Sequence, residues 1–360
     1  MALKIQQKFV DAVTRKLTWL PKKAVMPLAA AIVLVPAITA LAFSYGPLVS
    51  VEPENGSLSG GTTTVADGNA SGGQSVKFQT SDPEDCPNAP HTPGGDDGQG
   101  GCWPYAGNTG VPAGTTLTNY TGPTTITTPN TIINAKTVND DLVIQTTGVQ
   151  ILNSRVNGHI DVDGANRSVT IEDSEINAGN VSQPAVGYGN LTIRRTNLTG
   201  GQHSVLCGDN CVMEDNYMHA QYNAPGGSYH NNAFISNGGS GATLTHNTFF
   251  CEPENNGSGG GCTADVSFFG DFAVISDITV NNNLFVATPS GAYCGSFGHN
   301  PAKPFGSNPS NVVVTNNIFQ RGPNNQCGTS APVTSFLSAN GNVWTNNKWD
   351  DGATVPPADD

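Results

Sequence analysis

Charged side chains are scarce in this sequence: Asp, Glu, Lys and Arg make up 12% of its 360 residues, about half the share of an average soluble protein. The strong helix formers Glu, Lys, Leu and Arg are rare after residue 45, which argues against a helical domain there. Phosphate-binding loops, dinucleotide fingerprints, Gly-x-Ser-x-Gly and His-Glu-x-x-His are also missing. The sequence therefore carries no motif of a nucleotide-dependent enzyme, an α/β-hydrolase or a zinc protease.

Basic residues are the scarcer charge, with 15 Lys and Arg against 28 Asp and Glu and a formal net charge of -13. The first 42 residues contribute +5, so the remainder carries -13 minus +5, or -18, with only nine basic residues. Nucleic-acid binding requires Lys and Arg at the phosphates, so we expect no nucleic-acid partner. The same charge argues against pectin or alginate as a ligand unless a local basic groove exists.

An uncharged stretch over residues 24–43 follows a basic leader. It is long enough to cross a bilayer and to leave the rest of the chain outside the cell. Ala40-Leu41-Ala42 equally fits a signal-peptidase site, and a buried core helix is a third alternative. We therefore predict that residues 1–45 form a leader and an apolar helix, either cleaved or retained as a membrane anchor, and that the protein is secreted or on the cell surface.

All eight cysteines follow the apolar stretch, and their even number predicts disulfides formed in an oxidising compartment. A zinc site is the alternative at Cys207 and Cys211, but no second close pair or His-x3-His accompanies them. We therefore expect no metal and no cofactor. Nearest-neighbour pairing gives Cys86–Cys102, Cys207–Cys211, Cys251–Cys262 and Cys294–Cys327.

Residues 46–79 contain Glu52-x-Glu54-Asn55-Gly56 followed by Ala-Ser-Gly-Gly-x-x-Val-x-Phe. This short β segment resembles the opening of the β-sandwich carbohydrate-binding modules. It is much shorter than a sandwich that closes two sheets, so we expect a strand pair left from a truncated module. Residues 80–103 are rich in Asp, Pro and Gly and are predicted to be a linker.

From residue 130 a pattern recurs: two apolar residues at spacing two, two small polar residues, then another apolar residue. It appears as VQILNSRV, VTIEDSEI, LTIRRTNL, CVMEDNYM, ATLTHNTF, ITVNNNLF, VVVTNNIF and NVWTNNKW, at spacings of 20 to 36 residues. Such repeats are typical of stacked coils whose strands bury one face. A β-sandwich or a propeller is the alternative, but regularly spaced hairpin dipeptides are rare here.

The polar pair of each repeat is expected at the bend from one sheet to the next, along the outside of the coil. Asn tolerates the left-handed conformation of a tight bend, and stacked Asn side chains can form a hydrogen-bonded ladder. The pairs are Asn153/Ser154, Asp173/Ser174, Arg195/Thr196, Asp215/Asn216, His246/Asn247, Asn282/Asn283, Asn316/Asn317 and Asn346/Asn347.

The segment from residue 104 onward resembles the pectate-lyase-like superfamily. It is most similar to secreted bacterial proteins with N-T-G-V-P-A-G-T-T-L (108–117) and W-D-D-G (349–352). The resemblance implies an all-β fold, with a right-handed parallel β-helix over residues 104–355. That superfamily holds lyases, glycoside hydrolases and non-catalytic surface proteins. The N-T-D, G-H-G and R-I-K motifs of polygalacturonase-type enzymes are missing, which argues against a standard pectinase.

Polar groups that stand out lie on the longer excursions after the fourth coil, where insertions often form a binding face. Asp265 and Asp271 would be the paired carboxylates of a glycoside hydrolase. In a lyase, His219 or His230 would take the proton. Substrate-binding residues would be His203, Gln221, Tyr222, Tyr229, Lys303 and Arg321, with Arg321 neutralising a uronate.

A structural role is the alternative for each of these residues, since loop His and Asp often cap turns. His203, His219 and His246 could line one edge, although His246 occupies the Asn position and is expected to be structural. The predicted function is binding or cleavage of an extracellular polysaccharide by a monomer, or else a non-catalytic adhesion or spacer role. Burial of all five rings of Tyr222, Tyr229, Phe268, Phe269 and Tyr293 would favour the spacer.

Overall fold

The computed structural model describes residues 86–162, 164 and 166–358, and the backbone of 63–66 and 74–77. The chain divides into two units, Met1–Gln79 and Thr80–Asp360. In the first, Thr63–Ala66 (β1) and Gln74–Lys77 (β2) pair antiparallel, the strand pair expected from the sequence. The predicted apolar helix over residues 24–43 lies outside the described residues. Among those described, no helix is long and apolar enough to span a bilayer.

The second unit is a parallel β-helix, in which three parallel sheets follow one another along the chain in every coil. We name them A, B and C in the order in which the chain enters them, and count each coil from its sheet A strand. Sheet A contains Thr118–Asn119 (β3), Lys136–Val138 (β6), Arg155–Asn157 (β9), Glu175–Asn177 (β12), Asn197–Thr199 (β15), Tyr217–Met218 (β18), Thr248–Phe249 (β22), Leu284–Phe285 (β25), Ile318–Phe319 (β28) and Lys348–Trp349 (β31).

Sheet B contains Thr125–Ile126 (β4), Leu142–Ile144 (β7), Ile160–Val162 (β10), Val186–Tyr188 (β13), His203–Cys207 (β16), His230–Ser236 (β19), Gly261–Phe268 (β23), Gly295–Phe297 (β26) and Val333–Thr334 (β29). Sheet C contains Ile132–Asn134 (β5), Val149–Leu152 (β8), Ser168–Glu172 (β11), Asn190–Arg194 (β14), Val212–Glu214 (β17), Thr243–Thr245 (β21), Ile275–Asn281 (β24), Ser310–Thr315 (β27) and Val343–Thr345 (β30). Gly239–Ser240 (β20) also pairs with β24.

The central apolar residues of the sequence repeat lie in register along sheet C. Each is paired with its counterpart in the next coil, and the side chains fill the interior of the cylinder. The period-two pattern therefore predicted both the parallel pairing and the buried face, as expected because a slip of one residue would turn the row outward. The row runs Ile133, Ile151, Ile171, Ile193, Met213, Leu244, Val280, Val314 and Trp344.

The polar pairs form the bend from sheet C to sheet A, as predicted. The first residue of each pair has a positive φ, for example 48° at Asn153, 51° at His246 and 57° at Asn346. The second residue is fully buried, from Ser154 to Asn347. The expectation that both residues line the outside of the coil is therefore wrong for the second, because its side chain turns inward.

The buried Asn residues form a hydrogen-bonded ladder through the later coils. Asn216 donates from its backbone N–H and from Nδ2 to Oδ1 of Asn247, at 3.0 and 2.9 Å. Asn247 donates in the same way to Asn283, at 2.9 and 3.0 Å, and also to the carbonyls of Met213 and Thr245. Each rung thus satisfies backbone groups that the bend would otherwise leave unpaired inside the core.

Four disulfides close excursions of the chain, and they are the four that nearest-neighbour pairing predicts. Cys86–Cys102, Cys207–Cys211, Cys251–Cys262 and Cys294–Cys327 have Cα–Cα distances of 5.6, 6.2, 5.8 and 5.9 Å, within the range of ordinary disulfides. No described cysteine is free. These bonds indicate an oxidising, extracellular environment.

Residues 86–103, predicted to belong to a linker, instead lie against the β-helix. The ring of Trp103 is fully buried beside Leu284, Val286, Phe250 and Ile318 on the outside of sheet A. The correction has a simple physical reason: these outward apolar residues need a cover, and Trp103 provides it.

Residues on both sides of Trp103 also form hydrogen bonds with the β-helix. Gln320 Nε2 donates to the carbonyl of His91 at 2.7 Å, and Gln99 Nε2 donates to Oδ1 of Asn282 at 2.7 Å. Gly110 N–H donates to the carbonyl of Arg195 at 2.8 Å. The segment 86–117 therefore crosses the outside of several coils before the chain enters β3.

His246 joins this segment to the bend. Its Nδ1 lies 2.6 Å from Oδ1 of Asp215, its Nε2 lies 3.1 Å from Oδ2 of Asp97, and its ring stacks on Trp103 with centroids 5.2 Å apart. Burial lowers the pKa of His246, but the two carboxylates outweigh burial and the net direction is upward. The structural role expected for His246 agrees with these contacts.

A first prediction concerns the ladder. We expect Asn247→Ala to lower the free energy of unfolding by about 3 kcal/mol, because it leaves buried donors and acceptors of Asn216 and Asn283 unpaired. Chemical denaturation followed by circular dichroism would measure the change. Asn157→Ala is the control, since Asn157 is exposed and makes one side-chain hydrogen bond, to Asn139; equal losses in both variants would contradict a special role for the ladder.

A second prediction concerns pH. Because the pKa of His246 is raised in the folded chain, its contribution to stability is complete below about pH 6.5 and is lost as pH rises through the raised pKa. We expect the protection of the amides of residues 86–103, measured as their hydrogen-exchange rate relative to the intrinsic rate at the same pH, to fall above that pKa. His246→Asn, which keeps a residue suited to positive φ, should remove this pH dependence; an unchanged dependence in the variant would refute the assignment to His246.

Candidate functional site

Asp265, one of the two predicted catalytic carboxylates, is fully buried at the corner between sheets A and B. Its Oδ1 accepts a hydrogen bond from the backbone N–H of Cys251 at 2.7 Å, and its Oδ2 has no hydrogen-bond partner. Burial raises the pKa of Asp265 well above its ordinary value. A carboxyl group buried inside the coil cannot contact a polysaccharide outside it, so the predicted catalytic pair is not formed.

The same corner contains the only group of potential metal ligands in the described part of the chain. An oxygen of Asp265 and the Sγ atoms of Cys294 and Cys327 lie within 4.8 Å of one another. The two sulfur atoms form a disulfide, so they offer no thiolate to a metal ion. The group is part of the packing of the core.

Asp271, the second predicted carboxylate, is held by an ion pair. Lys303 Nζ lies 2.7 Å from Oδ1 of Asp271 and 5.1 Å from the centroid of the Phe269 ring. Arg321, predicted to neutralise a uronate, is paired with Asp351 at 2.7 Å and lies over the ring of Trp349. These cations join neighbouring loops of the β-helix.

The predicted histidines do not meet in one cleft. His203 is buried, and burial together with the nearby His230 lowers the pKa of His203 to about 4. His219 stacks on Tyr217 outside sheet A, with its Nε2 2.9 Å from Oδ1 of Asn197. His230 is exposed at the start of β19. Since His246 lies at the bend from sheet C, the expected single edge of histidines is wrong.

The remaining predicted residues differ in exposure. Gln221 is buried and donates from Nε2 to Oγ of Ser204 at 2.9 Å and to the carbonyl of Phe250 at 3.2 Å, which fixes the loop that carries it. Tyr222 and Tyr229 are half-buried and pack edge to face with centroids 6.2 Å apart. Of the five rings named as possible sugar platforms, only Phe268 is fully buried, so burial of the rings does not favour the spacer.

A different aromatic ring stands out on the outer face of sheet B. Tyr188, at the end of β13 in coil 4, has 47% of its surface exposed and is the one tyrosine among the large exposed apolar residues of the described chain. Glycines precede and follow it. A Cβ at Gly187 would lie 2.9 Å from Cγ of Pro184, and one at Gly189 would lie 2.7 Å from Cγ1 of Val162, so neither position has room for a side chain that would cover the ring.

Tyr188 separates two open depressions on this face. One, of about 150 Å³, is bordered by Asp161, Gln183 and Pro184. The other, of about 190 Å³, is bordered by Asn190, Gly208 and Asp209. Burial, followed by the charge of Asp161, raises the pKa of the Tyr188 hydroxyl, so the ring stays neutral and can act as a hydrogen-bond donor at physiological pH.

The floor of this surface comes from the outward positions of sheet B. Val143, Asp161, Gly187 and Leu206 occupy the same register position in successive coils. Their neighbours along each strand belong to the core, except Tyr188, which pairs with the buried residues Val162 and Cys207 but is itself exposed. We call the exposed ring, its two depressions and this row the Tyr188 surface. It combines an apolar ring with carboxylate and amide groups, the composition expected of a sugar-binding site.

Sequence reasoning missed the Tyr188 surface because it searched the long excursions after the fourth coil. The available signal was the tripeptide Gly187-Tyr188-Gly189, in which an aromatic residue stands between two glycines at the end of a strand in a coil without a long excursion. In comparisons with known proteins, no family model, curated protein or solved structure matches the chain.

A third prediction follows from Asp265. With its pKa raised in the folded chain, the stability that Asp265 contributes is complete below the ordinary pKa near 4 and is lost as pH rises through the raised value. We expect Asp265→Asn to raise the melting temperature at pH 8 and to leave it nearly unchanged at pH 4. Asp271→Asn is the control, because it breaks a partly buried ion pair and should give no gain; a lower melting temperature for Asp265→Asn at pH 8 would contradict the assignment.

Proposed function

We propose that this chain is an exported β-helix protein that binds an extracellular polysaccharide on the Tyr188 surface. The observation that carries the proposal is an exposed tyrosine ring with an open depression on each side. A sugar ring presents an apolar C–H face that packs on an aromatic ring, while its hydroxyl groups bond to carboxylates and amides at the edge. Asp161, Gln183 and Asp209 are placed for the second role.

The shape of the surface also supports a polymer. Strands of a parallel sheet lie about 4.8 Å apart, which is close to the length of one sugar unit, so a chain laid along the coil axis would meet a similar backbone at each unit. Asp161, Tyr188 and Asp209 belong to coils 3, 4 and 5. Three successive coils would therefore contact about three successive sugar units.

The contacts favour a protein that binds the polysaccharide without cleaving it. The hydrolase hypothesis depended on Asp265 and Asp271, and Asp265 is inside the core. The lyase hypothesis needed a free cation for the uronate, and Arg321 and Lys303 are both ion-paired. A rigid spacer without any ligand is the rival, since the stacked coils alone would provide one.

Several finer points belong to the same proposal. The resemblance to the pectate-lyase-like superfamily and to a truncated carbohydrate-binding module, the right-handed sense of the coil, and a monomeric state are interpretations of the sequence. Right-handed crossovers between parallel strands are the strong rule in proteins. Export would follow from the apolar segment over residues 24–43, and the disulfides are consistent with it.

A fourth prediction tests the Tyr188 surface. We expect Tyr188→Ala to weaken binding to the preferred polysaccharide at least about tenfold, or about 1.4 kcal/mol, because the apolar platform is removed, whereas Tyr188→Phe should keep most of the affinity. Affinity electrophoresis against a polysaccharide panel would measure it, with reducing-end and 235-nm readouts for cleavage.

The control for this experiment is Ile132→Ala, which removes an exposed apolar side chain from sheet C. Circular dichroism would show that each variant keeps its β-structure. Equal binding by wild type and Tyr188→Ala would place the site elsewhere. A complete lack of binding across the panel would favour the spacer.

A further inference from the structure

We infer that the ligand of the Tyr188 surface is a polysaccharide that carries amino groups, and that uronate and sulfate polymers are rejected. The inference rests on the proposed function and names the chemical class of its ligand. It comes from the charges at the site, where a neutral aromatic ring stands between two carboxylates. An ammonium group is attracted by both features, because it pairs with carboxylates and also with the face of an aromatic ring.

The residues that border the two depressions include acids but no Lys or Arg. Asp161 lies in one depression and Asp209 in the other. Oδ1 of Asp209 accepts a hydrogen bond from the backbone N–H of Ser240 at 2.7 Å, which fixes the direction of this carboxylate. The one imidazole at the border, His159, has its Nδ1 2.9 Å from Oδ1 of Asp141, so it faces a third carboxylate.

The basic residues elsewhere in the described β-helix are mostly engaged. Of the eight Lys and Arg residues between positions 86 and 358, five form ion pairs with carboxylates. A polyanion would have to compete with these intramolecular partners, and the local basic groove that could overcome the net charge is not present among the described residues. The pairs are Arg155–Glu175, Arg194–Glu172 and Glu214, Arg195–Asp173, Lys303–Asp271 and Arg321–Asp351.

The other three basic residues do not make the Tyr188 surface positive. Lys136 and Lys348 belong to sheet A, where Lys136 Nζ donates to Oγ1 of Thr118 at 2.8 Å. The Cγ atom of Arg167 lies 4.0 Å from where a Cβ of Gly164 would stand, and Gly164 borders one of the two depressions. Counting Arg167 (+1) together with Asp161 and Asp209 (-2) leaves a formal charge of -1.

Long-range electrostatics act in the same direction. The chain after residue 42 carries a formal charge of -18, so a polyanion is repelled before contact and a polycation is attracted. Exposed charges are screened beyond about 10 Å at 0.1 M salt. The preference should therefore be strong at low salt and should decrease as salt is added.

A fifth prediction tests this class of ligand on the full chain. The probes are matched β-1,4-linked oligomers of glucosamine, N-acetylglucosamine and glucose, and an oligomer of galacturonate, titrated by calorimetry. We expect the glucosamine oligomer to bind most tightly, at least about tenfold better than its acetylated counterpart at low salt, and the galacturonate oligomer not to bind. Raising the NaCl concentration should weaken the glucosamine oligomer selectively.

Substitutions separate the charge from the ring. Asp161→Asn and Asp209→Asn should each weaken binding of the glucosamine oligomer about fivefold and leave the neutral oligomers unchanged, since Asn keeps the size of the side chain and, at position 209, an acceptor for Ser240. Arg167→Gln should strengthen binding of the glucosamine oligomer, because it removes a cation next to Gly164, at the border of one depression. Asp277→Asn, at an exposed carboxylate of β24 in sheet C, is the matched control and should change nothing.

The outcomes distinguish the two levels of the proposal. If the neutral oligomers bound as tightly as the glucosamine oligomer and the Asp variants had no effect, the inference that the ligand carries amino groups would be wrong. The proposal that the Tyr188 surface binds a polysaccharide would stand. If the galacturonate oligomer bound tightly and Arg167→Gln lost this binding, the ligand would be anionic and the inference of an amino-bearing ligand would be wrong. Failure of every oligomer to bind would reject the polysaccharide-binding function itself.

Discussion

The fold depends on the hydrogen-bonding of one bend. Sheet C turns into sheet A within two residues, and this turn leaves backbone groups inside the core with no strand partner. Asn216, Asn247, Asn283, Asn317 and Asn347 satisfy these groups coil after coil, each donating to the next. Because the preceding residue has a positive φ, the bend can be this tight, and it keeps sheets A and C in one register along the later coils. In the earlier coils, including the one that carries Tyr188, Ser154, Ser174 and Thr196 take the place of the buried Asn, and the backbone N–H groups of Ser154 and Thr196 donate to Ser174 and Asn216.

Most of the β-helix could be predicted from the sequence because its determinants are local and repeated. The alternation around Ile151 or Ile193 specifies a buried strand face, and the polar pair that follows specifies the bend. The disulfides were predictable because each joins neighbours in sequence. The path of residues 86–103 was not predictable, because a composition rich in Pro, Gly and Asp is shared by linkers and by well-packed irregular segments. Only the apolar outer side of Leu284 and Ile318, visible once the coil is built, explains why Trp103 is buried there.

The site was less predictable than the scaffold. Sequence reasoning favoured Asp265 because it forms a pair with Asp271 on a long excursion, but the structure places its carboxyl group inside the core beside a disulfide. Tyr188 lies in a short coil, and its ring can serve as a binding surface only because neighbouring side chains and loops leave it exposed. Exposure of this kind depends on the two glycines beside the ring and on the lengths of loops from neighbouring coils, which no single repeat reveals.

The segment over residues 86–117 has a consequence for how the molecule loses its structure. In a stack of coils, each coil touches mainly the one before and the one after it, so such molecules can fray from either end. Here Gly110 is bonded at Arg195, while His91 is bonded at Gln320, so a single stretch of chain joins coils that are far apart in the stack. If the late coils unfolded, this stretch would also lose its contacts with the middle coils. The middle and the late coils should therefore unfold together as one cooperative block.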